Sequence, residues 1–88
     1  MNVEFLEQFS KDVDEVSLKS VRNRILSLIR KIEAADDLAE IPNVKRLKGH
    51  KSAYRIRIGD YRIGVFVESG TLTFARVVNR KDIYRVFP

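Results

Sequence analysis

Tyr54–Val67 reads YRIRIGDYRIGVFV. Tyr54, Ile56 and Ile58 alternate with Arg55 and Arg57. Beyond Gly59-Asp60, the residues Tyr61, Ile63, Val65 and Val67 alternate with Arg62, Gly64 and Phe66. Period-two alternation on both sides of a Gly-Asp pair predicts a β-hairpin closed by a two-residue turn. The register follows: Ile58 faces Tyr61, Arg57 faces Arg62, Ile56 faces Ile63 and Arg55 faces Gly64. One face of this hairpin is aliphatic and aromatic. The other holds three arginines beside a residue with no side chain.

Like charges directly opposite on antiparallel strands repel, where an opposite-charge pair would contribute about 0.2–1 kcal/mol. Two readings of Arg55, Arg57 and Arg62 are open. They form a basic face turned to water, or an anion site, since guanidinium forks grip phosphate oxygens in pairs. In the second reading Gly64 leaves room for a ligand backbone to come close.

The chain around the hairpin is short. Eighty-eight residues, 44% hydrophobic and 33% charged, describe one globular domain over 1–88 rather than a disordered chain. The sequence has no cysteine, which excludes disulfides and thiol chemistry and fits a cytoplasmic protein. Its apolar runs are too short for a membrane span, and the early Glu4 and Glu7 are wrong for a signal peptide. The net charge of +5 is unevenly placed. Residues 1–44 carry six Lys/Arg against nine Asp/Glu, whereas residues 45–88 carry eleven against three. A basic half of a small domain calls for a polyanionic partner, either nucleic acid or an acidic protein segment.

Val3 and Phe5 alternate with polar neighbours, so residues 2–6 are expected to form a first strand. Phe9, Val13 and Val16 then fall at helical spacing. A second, longer helix is expected after Ser17 as its cap, with Val21, Ile25, Leu28, Ile29 and Ile32 as its buried stripe, ending near Ala35. Its basic residues, Arg22, Arg24, Arg30 and Lys31, read as a solvated face. Residues 36–53 form a connection anchored by Leu38, Ile41, Val44 and Leu47. Its Lys45, Arg46, Lys48 and Lys51 extend the basic surface. After a turn at Ser69-Gly70, Leu72 and Phe74 are expected in the core. Arg76 shares their parity, which requires a bulge or the end of the sheet to redirect it. Ile83, Val86 and Phe87 are expected to cover an edge of the core, leaving Tyr84 near the basic face.

The lone His50 has no serine, cysteine or second histidine at a suggestive spacing, so neither a catalytic triad nor a zinc site is expected. Asp36, Asp37 and Glu40 read as an acidic helix-end turn. What remains is arginine with tyrosine. Such a set suits binding of phosphates and of a crowded, negatively charged phosphoryl transition state. Arginine is a poor base, with a pKa above about 12, which leaves Tyr84 as the side chain able to carry a proton.

The segments VEFLEQFSKDVDEV, EIPNVKRLKGH, YRIRIGDYRIGVF and NRKDIYRVF, with a long helix after the first, resemble the RelE/ParE superfamily of bacterial type II toxin–antitoxin toxins, on its RelE-like branch. The resemblance spans nearly the whole chain, and the combination of LKG, YRIRIGDYRI and RKDIY carries it. It implies an α+β fold: two N-terminal helices packed on one face of a twisted, mostly antiparallel sheet of about four strands. It also implies a metal-independent endoribonuclease, without cofactor, that cuts mRNA in the ribosomal A site by 2′-hydroxyl attack on the adjacent phosphate.

Carried over position by position, the resemblance makes Arg57, Arg62, Arg80 and Tyr84 the catalytic set, with Arg62 on the scissile phosphate and Tyr84 stacking on a base or assisting proton transfer. Arg55 matches, with Arg57, the two basic positions of the first hairpin strand, and on charge alone Lys45, Arg46, Lys48, Lys51, Arg55, Arg76 and Lys81 are expected to bind RNA phosphates. Two departures stand out. Arginine occupies 55 and 57 where some relatives have lysine, and Asn79 stands where many have histidine. The implied partners are a cognate acidic antitoxin, the ribosome with its mRNA, and operator DNA only through the antitoxin, with no membrane. A DNA gyrase poison of the ParE type and a non-enzymatic basic module in a repressor complex are the alternative readings.

Overall fold

The computed structural model describes residues 1–88. The chain runs β1 (Asn2–Phe5), α1 (Glu7–Glu15), α2 (Lys19–Ala34), a 3₁₀ turn (Leu38–Glu40), β2 (Val44–Arg46), β3 (Ala53–Ile58), β4 (Tyr61–Glu68), β5 (Thr71–Asn79) and α3 (Ile83–Val86). The strands form one mixed sheet in the order β1-β5-β4-β3-β2. Three pairings are antiparallel, while β1 lies parallel to β5, with Val3 opposite Leu72 and Phe5 opposite Phe74. The sheet therefore has five strands rather than about four. The added one is β2, three residues drawn from the connection between α2 and the hairpin.

The hairpin adopts the register its alternation dictates, including Arg57 opposite Arg62 and Arg55 opposite Gly64. Gly59 takes a φ of +54° in the turn, a conformation that costs glycine nothing. Ile56, Ile58, Ile63 and Val65 face α1 and α2 and form the main core with Phe9, Val16, Val21, Ile25, Ile32, Leu72, Phe74 and Val77. Burial of this aliphatic layer, at about 25 cal/mol per Å² of apolar surface, is the chief stabilising contribution.

Helix α2 starts after Leu18 with no side-chain cap, so Ser17 does not fill that role. The Leu18 carbonyl instead accepts the amides of Val21 and Arg22. Asp37 and Glu40 form a reciprocal capping box on the 3₁₀ turn, with Glu40 Oε2 accepting the amides of Asp36 and Asp37. This accounts for the acidic cluster without a cation.

The far face of the sheet departs further from expectation. It carries a second, smaller core of Leu47, Ala53, Ala75, Ile83 and Phe87. Helix α3 thus lies across the face opposite α1 and α2, rather than along an edge of the main core. The Phe87 ring sits directly on Gly64: a Cβ at residue 64 would lie 2.5 Å from Phe87 Cγ. Gly64 admits this ring and not a ligand backbone.

A bulge breaks the β4–β5 register between Gly64 and Val65, leaving Ala75 as the extra residue. It lets Phe74 and Val77 both enter the main core. Arg76 stays on the helix side, where its Nε donates to Asp12 Oδ2 at 2.7 Å and its Nη2 to Asp12 Oδ1 at 3.2 Å. Asp12 also accepts the Val77 amide at 3.0 Å. Burial pushes the Asp12 carboxyl up, but the hydrogen bonds from Arg76, Gln8 and the Val77 amide, together with the Arg76 charge, outweigh it and leave Asp12 below the usual carboxylate range.

Candidate phosphate-binding site

The turn end of the β3–β4 hairpin borders a hollow of about 400 Å³. Arg57 reaches it from β3, Arg62 from β4, Arg80 from the turn after β5 and Arg24 from α2, with Asn43 and the Gly59-Asp60 turn completing the wall. Four arginines on four elements converge here because the sheet brings the end of β5 beside the hairpin turn. The Arg80 amide donates to the Asp60 carbonyl at 2.8 Å, which fixes that approach. Asp60 supplies the single carboxylate of the lining.

None of Arg24, Arg55, Arg57, Arg62 and Arg80 forms an ion pair; the chain's ion pairs are Lys11–Glu7, Arg76–Asp12 and Arg85–Asp82. Arg62 is held by neutral partners, its Nη1 donating to the carbonyls of Gly59 at 2.9 Å and Tyr61 at 3.0 Å. Partial burial, followed by the charges of Arg55, Arg57 and Arg80, pulls the Arg62 guanidinium below the usual arginine range. Arg55 Nε is buried with no hydrogen-bond partner. Arg55 lines an adjoining hollow with Lys45 and Arg57 rather than the main one. The arrangement can bind a tetrahedral anion and disperse the extra charge of a phosphoryl transition state.

The structure gathers some of the sequence-derived residues and separates others. Arg57, Arg62 and Arg80 line the hollow, and a smaller adjoining one holds Lys45, Arg55 and Arg57. Tyr84 is 65% exposed on α3, close enough to Arg62 for its field to be felt there. Lys81 is exposed, its amide bound to Asn79 Oδ1 at 3.0 Å, so Asn79 serves to close the turn into α3. Arg46, Lys48 and Lys51 are exposed on β2 and the following loop, outside the hollow. Arg76 is engaged with Asp12 on the other side of the sheet.

Arg24 and Asn43 join the site without having been marked by the sequence. Arg24 lies on a helix face whose charges read as solvated, and only the tertiary fold sets it over Gly59. Asn43 has a φ of +64°, an uncommon conformation for which asparagine is favoured among residues with side chains. There its backbone carbonyl accepts the Arg57 amide at 3.1 Å and its Oδ1 accepts from Arg57 Nη2 at 3.4 Å. An Asn preceded by Pro42 was the available signal for such a turn. No three His, Asp or Glu side chains converge anywhere in the fold.

No family model matches the chain. It is 39% identical over 89 residues to the Toxin RelE3 of Methanocaldococcus jannaschii, covering all of both chains. Among solved structures, a RelB–RelE antitoxin–toxin complex from Methanococcus jannaschii superposes with a TM-score of 0.83 at 36% identity, over 97% of this chain and 99% of that one. The archaeal RelE–RelB complex of Pyrococcus horikoshii gives 0.74 at 23% identity, over 93% and 97%, a likeness of fold. With 39% identity over its full length and a fold shared at a TM-score of 0.83, this chain belongs to the RelE family of toxins.

Proposed function

We propose that the protein is the toxin of a type II toxin–antitoxin pair and that it cleaves mRNA on the ribosome. The observation that carries this reading is the convergence of Arg57, Arg62 and Arg80, all without carboxylate partners, around one hollow at the hairpin end. In the reaction, the RNA 2′-oxygen forms a bond to the adjacent phosphorus while the bond from phosphorus to the 5′-oxygen breaks. One proton leaves the 2′-hydroxyl and one reaches the departing 5′-oxygen. Arg62 and Arg57 meet the equatorial phosphoryl oxygens, and Arg80 closes the third side. Preformed donors of this kind stabilise developing charge without reorganising.

Tyr84, exposed and beside Arg62, is the residue that handles a proton or stacks on the neighbouring base. With arginines in place of a strong base, the ribosome supplies the orientation that brings the 2′-oxygen in line. A metal-independent reaction fits this set, in which arginine meets the phosphoryl charge. Lys45, Arg46, Lys48, Lys51, Arg55 and Lys81 extend the positive field that receives RNA, and Arg76 contributes to it only through that field. A cognate acidic antitoxin covers the same basic half and neutralises it.

The test is incubation of purified protein with programmed ribosomes, with the message ends mapped. Cuts within the A-site codon, and little cutting of the same mRNA without ribosomes, are expected. Intact message on ribosomes, together with loss of supercoiling activity in a gyrase assay, would overturn the reading in favour of a gyrase poison.

A further inference from the structure

A second hollow, about 200 Å³, lies between α2 and the hairpin on the other side of Arg24. Its polar lining is Arg24, Ser27, Lys31, Asn43 and Arg57, with Leu28, Ile56 and Ile58 supplying apolar wall. Arg24, Asn43 and Arg57 border both hollows. Arg24, Ser27 and Lys31 are spaced i, i+3 and i+7, so one stripe of α2 faces this opening. The stripe contains no acid, and neither Arg24 nor Lys31 forms an ion pair. The Arg24 guanidinium leans over the turn: a Cβ on Gly59 would meet its Nη1 at 3.2 Å. Asn43, in its left-handed conformation, holds Arg57 at the boundary between the two hollows.

A helix face that merely meets water gains by mixing signs, since opposite charges three or four residues apart stabilise and like charges do not. Here three cations and a hydroxyl surround one opening. A phosphate group matches its charge and its donors. We propose that this second hollow takes the backbone phosphate next to the scissile one on the same single strand of RNA, with Arg57 shared between the two. The strand then runs from the hairpin end onto α2, and the protein grips two consecutive phosphates rather than one. The inference rests on reading the first hollow as the site of RNA cleavage.

Lys31 borders only the second hollow, which makes it the discriminating position. Binding of 2′-O-methyl oligonucleotides, which cannot be cleaved, is followed by NMR for a dinucleotide with one internal phosphate and a trinucleotide with two. Wild type is expected to bind the trinucleotide several-fold more tightly. Lys31→Gln is expected to abolish that preference while leaving the dinucleotide unchanged, and to reduce the log–log salt slope for the trinucleotide by about 0.7. Lys31→Arg should restore both. Equal trinucleotide binding by wild type and Lys31→Gln, or a wild type that binds the two lengths alike, overturns the second phosphate position. Cleavage on ribosomes by such a protein would still leave the proposed activity standing, so the two failures are separable.

Discussion

The ring of Phe87 occupies the space above Gly64, so a Cβ at residue 64 would lie within 2.8 Å of three ring carbons. This contact seats α3 on the far face of the sheet, and α3 carries Tyr84. Gly64→Ala is expected to destabilise the fold by about 1–3 kcal/mol, the range for overpacking a filled core. Hydrogen exchange should rise first at residues 83–87, and ribosomal cleavage should fall with Tyr84 displaced. Unchanged melting and unchanged exchange in the variant would show that Phe87 does not need this seat.

Arg62 is expected to add little to the fold and much to the proposed site. Its two hydrogen bonds to turn carbonyls are offset by the repulsion of Arg55, Arg57 and Arg80. Arg62→Ala should therefore shift stability by less than about 1 kcal/mol. Single-turnover cleavage on ribosomes should fall at least tenfold, since loss of one donor to a transition-state oxyanion costs about 2.7–4 kcal/mol. A variant that melts far below wild type yet cleaves normally per folded molecule would make Arg62 a structural residue.

The Asp12–Arg76 pair has the opposite balance. Asp12 is buried and holds both Arg76 and the Val77 amide next to the bulge. Asp12→Asn leaves Arg76 without its counter-charge and should cost about 3 kcal/mol at neutral pH, as removal of one member of a buried pair does. Because the folded-state pKa of Asp12 lies below its ordinary 3.8, its contribution is complete above that value and is lost as acid protonates the folded form. Urea titrations at pH 7 and below pH 3 should show the gap between wild type and Asp12→Asn narrowing in acid. A gap independent of pH would place the loss in packing instead.

Unpaired cations make the protein responsive to anions. Phosphate should raise the melting midpoint beyond chloride at matched ionic strength, because a ligand bound only by the folded state at ten times its Kd contributes about 1.4 kcal/mol. That corresponds to a rise of about 6–11 °C in a domain of this size. Arg57→Ala and Arg80→Ala should each reduce the increment. Identical curves in the two salts would show that the hollow does not gather anions.

Association with an acidic antitoxin should follow the same electrostatics. Steering by a basic half-domain accelerates encounter at low ionic strength, and the on-rate should fall steeply as salt is added. Stopped-flow association at several salt concentrations measures this directly, and a flat profile would remove the basic half from the encounter.

The hairpin was legible in full, down to its pairs, because alternation and a two-residue turn leave one register that buries Ile56, Ile58, Ile63 and Val65 together. The long helix was legible for the same reason at its own period. Strand β2 was not, since three residues cannot show alternation and Val44–Arg46 becomes a strand only by pairing with β3. The bulge was anticipated from the parity of Arg76, but its outcome depended on Asp12, sixty-four residues away. Arg57, Arg62 and Arg80 could be named from the chain. Arg24 could not, because a cation on an amphipathic helix looks the same whether it faces water or a neighbouring turn.

The parallel pairing of β1 with β5 ties residues 2–5 to residues 71–74. During synthesis the first strand has no partner until residues 71–74 have been made, and a contact of such sequence separation forms late. Arg80 and Tyr84 follow that partner strand. A nascent chain still threaded through the ribosome that makes it therefore holds an unfinished sheet and an incomplete ring of arginines. Topology thus delays completion of the arginine-lined hollow until residue 80 has been made and its strand has paired.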